Sequence, residues 1–519
     1  MIHTGKRGTK VGAAMALLLT GCGTTVSISG SNGTGTGGPG RAGSTSAGQA
    51  AAGAMAGSSS GNDLSAPGGG PGQPATAGSP VGNGQFGGAA AAEGGSGPVP
   101  GVTPTTITVG IPYTVNGAAG NQAIGAAGVS FGDARDLSKI VIADINKHGG
   151  ILGRKVMPIY YGVDAESTET DDQQLAAACS FFTQDHHVFA VIGIPGYDSF
   201  NECIEKAGAV HVAEDVTISN AQTFQRFPHY VEPSTLNLDR SAALQLQALV
   251  AQRYFTGWDD TAGGPGAAPA KVGILTYDHP DFAHPIDKVM LPALARAGYP
   301  SPVIARIAYP QRFSDLSNET AQVQNAVLQF RTAGVTHVII FDASGTLSLF
   351  FLQSAESQHY RPRYGINTQS AFGVLASTGD DPKAQFNGAL GIGWYPIIDV
   401  PDQAASDNGP YSNNARKHCM ALMRAGGQSF SDPNAERDAL LMCNQLYLLR
   451  QAVVGGGATI SATSFLNGLD RVGGQFASAT SAATYLGPNQ HDGVAAIYYW
   501  GYNSACGCMR YNGGPRNVG

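Results

Sequence analysis

The chain has no surplus of basic residues: 30 Lys and Arg stand against 37 Asp and Glu, a formal net charge of −7. A nucleic-acid surface needs a basic footprint, so no nucleic-acid partner is expected. Long hydrophobic runs are missing too. The apolar run Val11–Leu19 is too short to cross a bilayer, and no later run reaches about 18 residues. Zinc-type cysteine spacing with partner histidines is absent, and His186-His187 and the pair His279 and His284 read as surface or loop residues, so no metal is expected. The region after residue 104 has no nucleophile elbow and no P-loop. Two motif matches do occur earlier, Gly82-x-Gly84-x-x-Gly87 and Gly57-Ser58-Ser59-Ser60-Gly61. Both motifs work only between a strand and a helix, and a Gly/Ser tract produces such matches by chance. No cofactor is expected, and an enzyme is the weaker reading.

What is abundant is glycine, 72 residues, and the excess is local. Residues 23–104 hold three charged residues (Arg41, Asp63, Glu93) and one aromatic, Phe86. Such a stretch cannot bury enough apolar surface to offset chain entropy, which predicts a disordered linker. As a Gly-rich coil it spans roughly 50 Å. Before it, Lys6, Arg7 and Lys10 precede the short apolar run, the pattern of an export signal. Leu19-Thr20-Gly21-Cys22 then resembles the lipobox of bacterial lipoproteins. The resemblance implies that residues 1–21 are a lipoprotein signal peptide and that Cys22 is lipidated. Residues 22–104 then form the lipidated Cys and its linker, and the chain is membrane-anchored by lipid on the extracellular face of the cell membrane. Six cysteines remain: Cys179, Cys203, Cys419, Cys443, Cys506 and Cys508. An even number in an exported chain suggests disulfides. Six cysteines allow 15 pairings; nearest neighbours, 179–203, 419–443 and 506–508, are the simplest.

Ordered structure is predicted from near Thr105. "TITVGI" (Thr106–Ile111) reads as a buried strand, and Asp133–His148 as an amphipathic helix with Leu137, Val141 and Ile145 on one face. Asp133 caps it and Gly149-Gly150 ends it. "KVMPIYY" (Lys155–Tyr161) and "VFAVIG" (Val188–Gly193) are strands alternating with helices over 168–184 and 199–207. This βαβαβα order marks a parallel sheet covered on both faces. The pattern restarts after the helix 236–254, with strands "KVGILTY" (Lys271–Tyr277), "PVIARIA" (Pro302–Ala308), "VTHVIIF" (Val335–Phe341) and "RYGIN" (Arg363–Asn367). The fold class is α/β, two Rossmann-like lobes, with the binding site expected in the cleft between them.

"ADINKHGGILGRKV" (Ala143–Val156) resembles a helix-to-strand signature of the type I periplasmic solute-binding proteins, the branched-chain amino acid (Leu/Ile/Val) binding family of ABC transporters. "KVGILTYDHPDF" resembles its second-lobe opening strand, and "CNQLYLLRQAV" and "FLNGLDRVG" its late helices. The resemblance covers about residues 105–511. It implies two lobes joined by three hinge crossovers, lobe one being 105–235 plus 368–480 and lobe two 236–367 plus 481–519. It also implies a small polar solute, an ABC-transporter permease as partner, and hinge closure rather than chemistry. A ligand-sensing receptor of the same fold, not coupled to import, is the alternative.

Candidate contacts are the loops that follow the strands. In lobe one these are Pro112–Gly117, Ile194–Ser199 and Glu214–Ser219, offering Tyr113, Gly196, Tyr197, Ser199, Val216 and Thr217. In lobe two, Asp278–Phe282, Asp342–Gly345 and Thr368–Phe372 offer Phe282, Asp342, Thr368 and Gln369. Ser199 and Thr217 hydroxyls and backbone amides suit a carboxylate, while Tyr113 or Tyr197 suits an apolar group. Each has a plainer reading: Asp342 and Ser199 as helix caps, Tyr113 as packing, Asp278 as a brace of its own turn. One departure from the resemblance matters. Amino acid binders of that family carry an acid after the strand matching "RYGIN", where this chain has Thr368-Gln369. Without Asp342 in its place an ammonium would go unpaired, so the solute class extends to amides and carboxylic compounds.

Overall fold

The computed structural model describes residues 99–119, 131–194, 196–213, 218–378, 382–404 and 407–519. The expected export signal and linker, as far as residue 98 and with Cys22, lie outside the described residues, as do Val216 and Thr217. Order reaches further back than Thr105: Val99 and Val102 already pack on the first core, and Val102 bridges Ile107.

Five parallel strands form the first sheet: β1 (Thr106–Val115), β2 (Lys155–Asp164), β3 (Ala190–Ile192), β4 (Val210–Val212) and β5 (Tyr230–Val231), in the order β2-β1-β3-β4-β5. β1 pairs β2 over all ten residues, from Thr106 with Lys155 to Val115 with Asp164. Most of "PYTVNG", expected as a loop, is therefore strand. On one sheet face Ile107, Val109 and Ile111 pack with the helices Ala134–Lys147, Pro433–Gly455 and Ala462–Val472. On the other, Phe182 and Phe200 pack with the helices Asp171–Ser180 and Asp198–Lys206. Gly110 makes that second face possible, because a Cβ there would meet the Phe182 ring at 2.6 Å.

The motif that carried the resemblance has a mechanical reason. Asp133 accepts from the Arg135 amide at 2.8 Å and starts the helix Ala134–Lys147. The helix ends at Gly149 and Gly150, with φ of +89° and +67°. Asn146 then clasps β2, donating to the Val156 carbonyl at 2.9 Å and accepting from its amide at 2.8 Å. Helix and next strand are thus fixed by one side chain.

The hairpin β6 (Trp258–Asp259) and β7 (Gly264–Pro265) precedes the second sheet. That sheet holds β8 (Val272–Asp278), β9 (Val303–Ala308), β10 (His337–Phe341), β11 (Arg363–Ile366), β12 (Leu390–Gly393), β13 (Ala496–Asn503), β14 (Cys508–Tyr511) and β15 (Arg516–Asn517). Its order is β14-β13-β12-β11-β10-β8-β9, with β15 beside β13. β8 to β12 run parallel and β13 returns antiparallel.

Two lobe boundaries move. β12 extends the second sheet beside β11, and apolar side chains of 371–376 and 386–404 pack in the second core, so 368–376 and 386–404 belong to lobe two rather than lobe one. Ala479 and Leu486 pack on the first core and Val494 on the second, so the third crossover falls near 487–493 rather than at 480. The first and third crossovers lie side by side: Glu232 bridges Asp492, and the Val494 amide donates to Thr235 at 3.1 Å. Arg240 ties the pair down, donating to Asp492 at 2.6 Å and to the Val494 carbonyl at 2.9 Å.

Disulfides join Cys179 to Cys203, Cys419 to Cys443, and Cys506 to Cys508. The first links the two helices on one face of sheet one. The second links the helices Asn414–Ala425 and Pro433–Gly455. Among the described residues no helix is long and apolar enough to cross a membrane.

Candidate functional site

The carboxyl ends of the two parallel sheets face each other, and polar side chains from both lobes meet there. Tyr197, at the start of the helix Asp198–Lys206, donates its hydroxyl to Asp171 at 3.1 Å and packs with Tyr309 on the second core. Asp171 opens the helix Asp171–Ser180, and its amide donates across the lobes to the Gln311 carbonyl at 3.0 Å. Burial pushes both tyrosine hydroxyls above their ordinary range, so they remain protonated donors.

A second set of contacts lies beside this one. Asn220 donates to the Asp281 carboxylate at 3.3 Å. Arg226 binds the Asp198 carboxylate, one bond at 2.9 Å, and stands 3.9 Å from Asp281. Burial pushes the Asp281 carboxyl up to about 7, helped by the charge of Asp198 and opposed by that of Arg226. His279 starts the helix Pro280–His284 by accepting from the Asp281 amide at 3.3 Å, and burial lowers its basicity.

Below, in lobe two, Tyr277 on β8 donates to Glu319 at 3.0 Å. Glu319 is 1% exposed and its second oxygen bonds nothing. Burial, then the neighbouring Asp342 charge, push its carboxyl up to about 8, so it is mostly neutral at pH 7. Asp342 has a different role. Its oxygens accept from the amides of Ala343 at 2.7 Å, Ser344 at 3.1 Å and Ser348 at 3.1 Å, and from the Ser348 hydroxyl at 3.2 Å. Asp342 thus closes the turn between β10 and the helix Thr346–Ser357, the plainer of its two readings. Burial still outweighs those bonds and sets its carboxyl at about 6.

The loop after β11 lacks an acid in sequence but touches one in space. The Thr368 hydroxyl donates to Asp399 at 3.0 Å and accepts from the Trp394 amide at 2.9 Å. Gln369 is buried, and its amide nitrogen reaches toward Thr235 in the first crossover at 3.5 Å.

The other candidates separate. Phe282 is wholly buried and packs on Tyr277, Tyr309 and Phe341, so it is core under the cleft and not free to touch a ligand. Ser199 is no cap: its hydroxyl donates to Asp172 at 2.7 Å on the surface. Tyr113 lies in β1, covered by the Arg135 guanidinium 4.1 Å from its ring. Gly196 is buried where a Cβ would stand 2.0 Å from the Tyr230 hydroxyl. Asp171, Asn220, Asp281 and Tyr309 were not singled out from the sequence. Tyr309 carries a usable signal in the sequence, since it directly follows the strand Val303–Ala308. Among the described residues no group of three or more His, Cys, Asp or Glu is placed to hold a metal.

No protein-family model and no curated protein matches the chain. Solved structures do. A possible leucine/isoleucine/valine-binding protein from Rhodopirellula baltica SH 1 matches with a TM-score of 0.52 at 14% identity, over 81% of this chain and 98% of its own. A fatty acid ABC transporter substrate-binding protein from Thermomonospora curvata matches with 0.53 at 12% identity, over 81% and 94%. A solute-binding protein of an ABC transporter from R. palustris, in complex with 4-hydroxybenzoate, matches with 0.53 at 14% identity, over 80% and 96%. At these identities the likeness is one of fold, and the fold is that of the two-lobed type I periplasmic binding proteins.

Proposed function

We propose that the chain is an exported, lipid-anchored solute-binding protein whose lobes close on a small polar solute and deliver it to the permease of an ABC importer. The observation that supports this reading is the polar contact set across the strand ends, Asp171 with Gln311 and Asn220 with Asp281, with Tyr197 packed beside Tyr309. A handful of hydrogen bonds between lobes joined by narrow crossovers suits a hinge that opens and closes with its ligand. In this reading the solute is bound and released without chemistry. Cys22 is the anchor and the glycine-rich segment is the tether.

The solute is an amide or carboxylic compound rather than an α-amino acid. Asp342 is occupied by four donors, and the loop Thr368-Gln369 has no acid of its own. The acid beside that loop, Asp399, is fully buried and already accepts from three donors, so an ammonium there meets no open carboxylate. Branched-chain amino acids remain the comparison class that the fold suggests.

Thermal melting of the full chain against amides, urea, short aliphatic and aromatic acids, and leucine and valine tests this. A solute at about a hundred times its Kd adds roughly 2.7 kcal/mol. The expected result is a shift with an amide or an acid, reduced several-fold in affinity by Tyr309→Phe. A shift with leucine or valine alone contradicts the solute class. A shift that Tyr309→Phe leaves unchanged contradicts the site.

A further inference from the structure

Away from the cleft, lobe one carries a groove that the solute-binding reading does not use. Two neighbouring hollows, of about 280 and 390 Å³, share Arg450, Gln451 and Gln475 in their walls. They lie along the helix Pro433–Gly455, with the helix Asn414–Ala425 on one side of the first and the helix Ala462–Val472 on one side of the second. The Cys419–Cys443 disulfide joins two of those helices, so the wall is fixed before anything binds.

The lining has one sign of charge. Arg450, Arg471 and His418 face the hollows, and among the described residues no Asp or Glu lines either one, in a chain with 37 acids and 30 bases. Asp144 stands just behind the first hollow, where it accepts from Tyr447 at 2.7 Å and pairs with His418 at 4.0 Å and His148 at 3.2 Å, so the charge left for a ligand is that of the two arginines. Arg450 sits where the hollows join. Among the described residues its guanidinium has no hydrogen-bond or ion-pair partner; its Nε is buried, and the side chain as a whole is half-buried. A buried guanidinium nitrogen without a partner is an exception in folded proteins. Its planar donor fork matches a carboxylate or phosphate better than any other group. Arg471 gives one bond to the Gly455 carbonyl at 2.7 Å, and among the described residues its remaining donors bond no protein group. Beside the two arginines, Val454 is 47% exposed, while Val472 and Phe476 form an apolar floor.

We propose that this groove is a second binding site, for a small oxyanion carrying a short apolar arm. Arg450 holds the anion, Arg471 adds charge, the Gln451 and Gln475 amides orient it, and the arm lies along Val454 and Val472.

Calorimetric titration of the full chain with sodium hexanoate tests the proposal, with inorganic phosphate as the anion that lacks an arm. Saturable hexanoate binding is expected, with a component that Arg450→Gln weakens at least tenfold and Tyr309→Phe leaves unchanged, separate from any the interlobe cleft takes up. Phosphate is expected to bind more weakly at the same place. Arg471→Gln, on an exposed side chain, gives a several-fold loss and serves if Arg450→Gln lowers the melting temperature. No saturable hexanoate binding to the unaltered chain overturns the site. Binding that Arg450→Gln leaves intact and Tyr309→Phe weakens also overturns it, by assigning hexanoate to the interlobe cleft. Phosphate binding tighter than hexanoate overturns the apolar arm.

Discussion

Asp399→Asn is expected to flatten the pH dependence of stability. Asp399 is fully buried behind the Thr368 loop. One oxygen accepts from the Tyr395 amide at 2.9 Å, the Thr368 hydroxyl at 3.0 Å and the Tyr511 hydroxyl at 2.5 Å, while the other bonds nothing. Those donors favour the charged form, but burial outweighs them and pushes the carboxyl up to about 7 from 3.8. A folded-state value above the unfolded one means that the folded chain holds a proton that the unfolded chain has released. Stability from this group is full below pH 3.8 and is lost as pH rises through about 7. At 1.36 kcal/mol per pH unit, falling off where the group is half-titrated, the loss is about 2 kcal/mol between pH 5 and pH 7 and approaches about 3 kcal/mol by pH 8. The Asn oxygen accepts the same three bonds but carries no proton to lose. Urea unfolding of both proteins at pH 5 and pH 8 reads the effect. The variant gains about 3 kcal/mol relative to the parent on going to pH 8. Asp281, Asp342 and Glu319, also raised by burial, are present in both proteins and cancel in the difference. A gap between parent and variant that is equal at the two pH values refutes the reasoning.

Other expectations follow from burial and pairing. Phe282→Ala removes a ring with no exposed surface and costs about 3–5 kcal/mol in urea unfolding, with solute affinity per folded molecule changed far less. Arg416 is 2% exposed and bonded to Glu436, so Arg416→Met leaves a buried acid alone and costs about 3–5 kcal/mol, seen as a lower urea midpoint. Replacing Cys419 and Cys443 together by Ala opens a loop of separation 24 and costs about 3 kcal/mol, measured against the parent under non-reducing conditions.

The elements legible in the sequence were those with a strong local rule. The helix Ala134–Lys147 announced its cap, its apolar face and its glycine exit, and all three are present. The disulfide partners close in sequence are also partners in space. The strand Leu390–Gly393 was missed because half of "LGIG" is glycine, which has no strand propensity. Its glycines answer to tertiary packing: a Cβ on Gly391 would stand 1.7 Å from the Ile366 carbonyl, and one on Gly393 would stand 2.4 Å from Asp399. That omission is what shifted the lobe boundary. At the cleft, the loops were legible and the side chains much less so. Phe282 follows a strand end as a ligand contact would, yet the short helix Pro280–His284 turns its ring inward. Glu319 and Asp399 had no signal, because an acid in a helix looks alike in sequence whether its carboxyl meets water or a buried tyrosine. Asn220 and Asp281 are 61 residues apart, and only the meeting of two lobes makes them a pair.

Hinge closure on a solute is the central claim, and the distance between the lobes tests it most directly. Spin labels at Glu202→Cys and Lys288→Cys, both exposed and one on each lobe, report that distance by electron double resonance. The full chain is measured alone and with each amide or acid that raises its melting temperature. The expected result is a broad distribution without solute that collapses to one short distance with it, and less completely in Tyr309→Phe. A single distance, the same with and without a bound solute, contradicts closure and the account built on it.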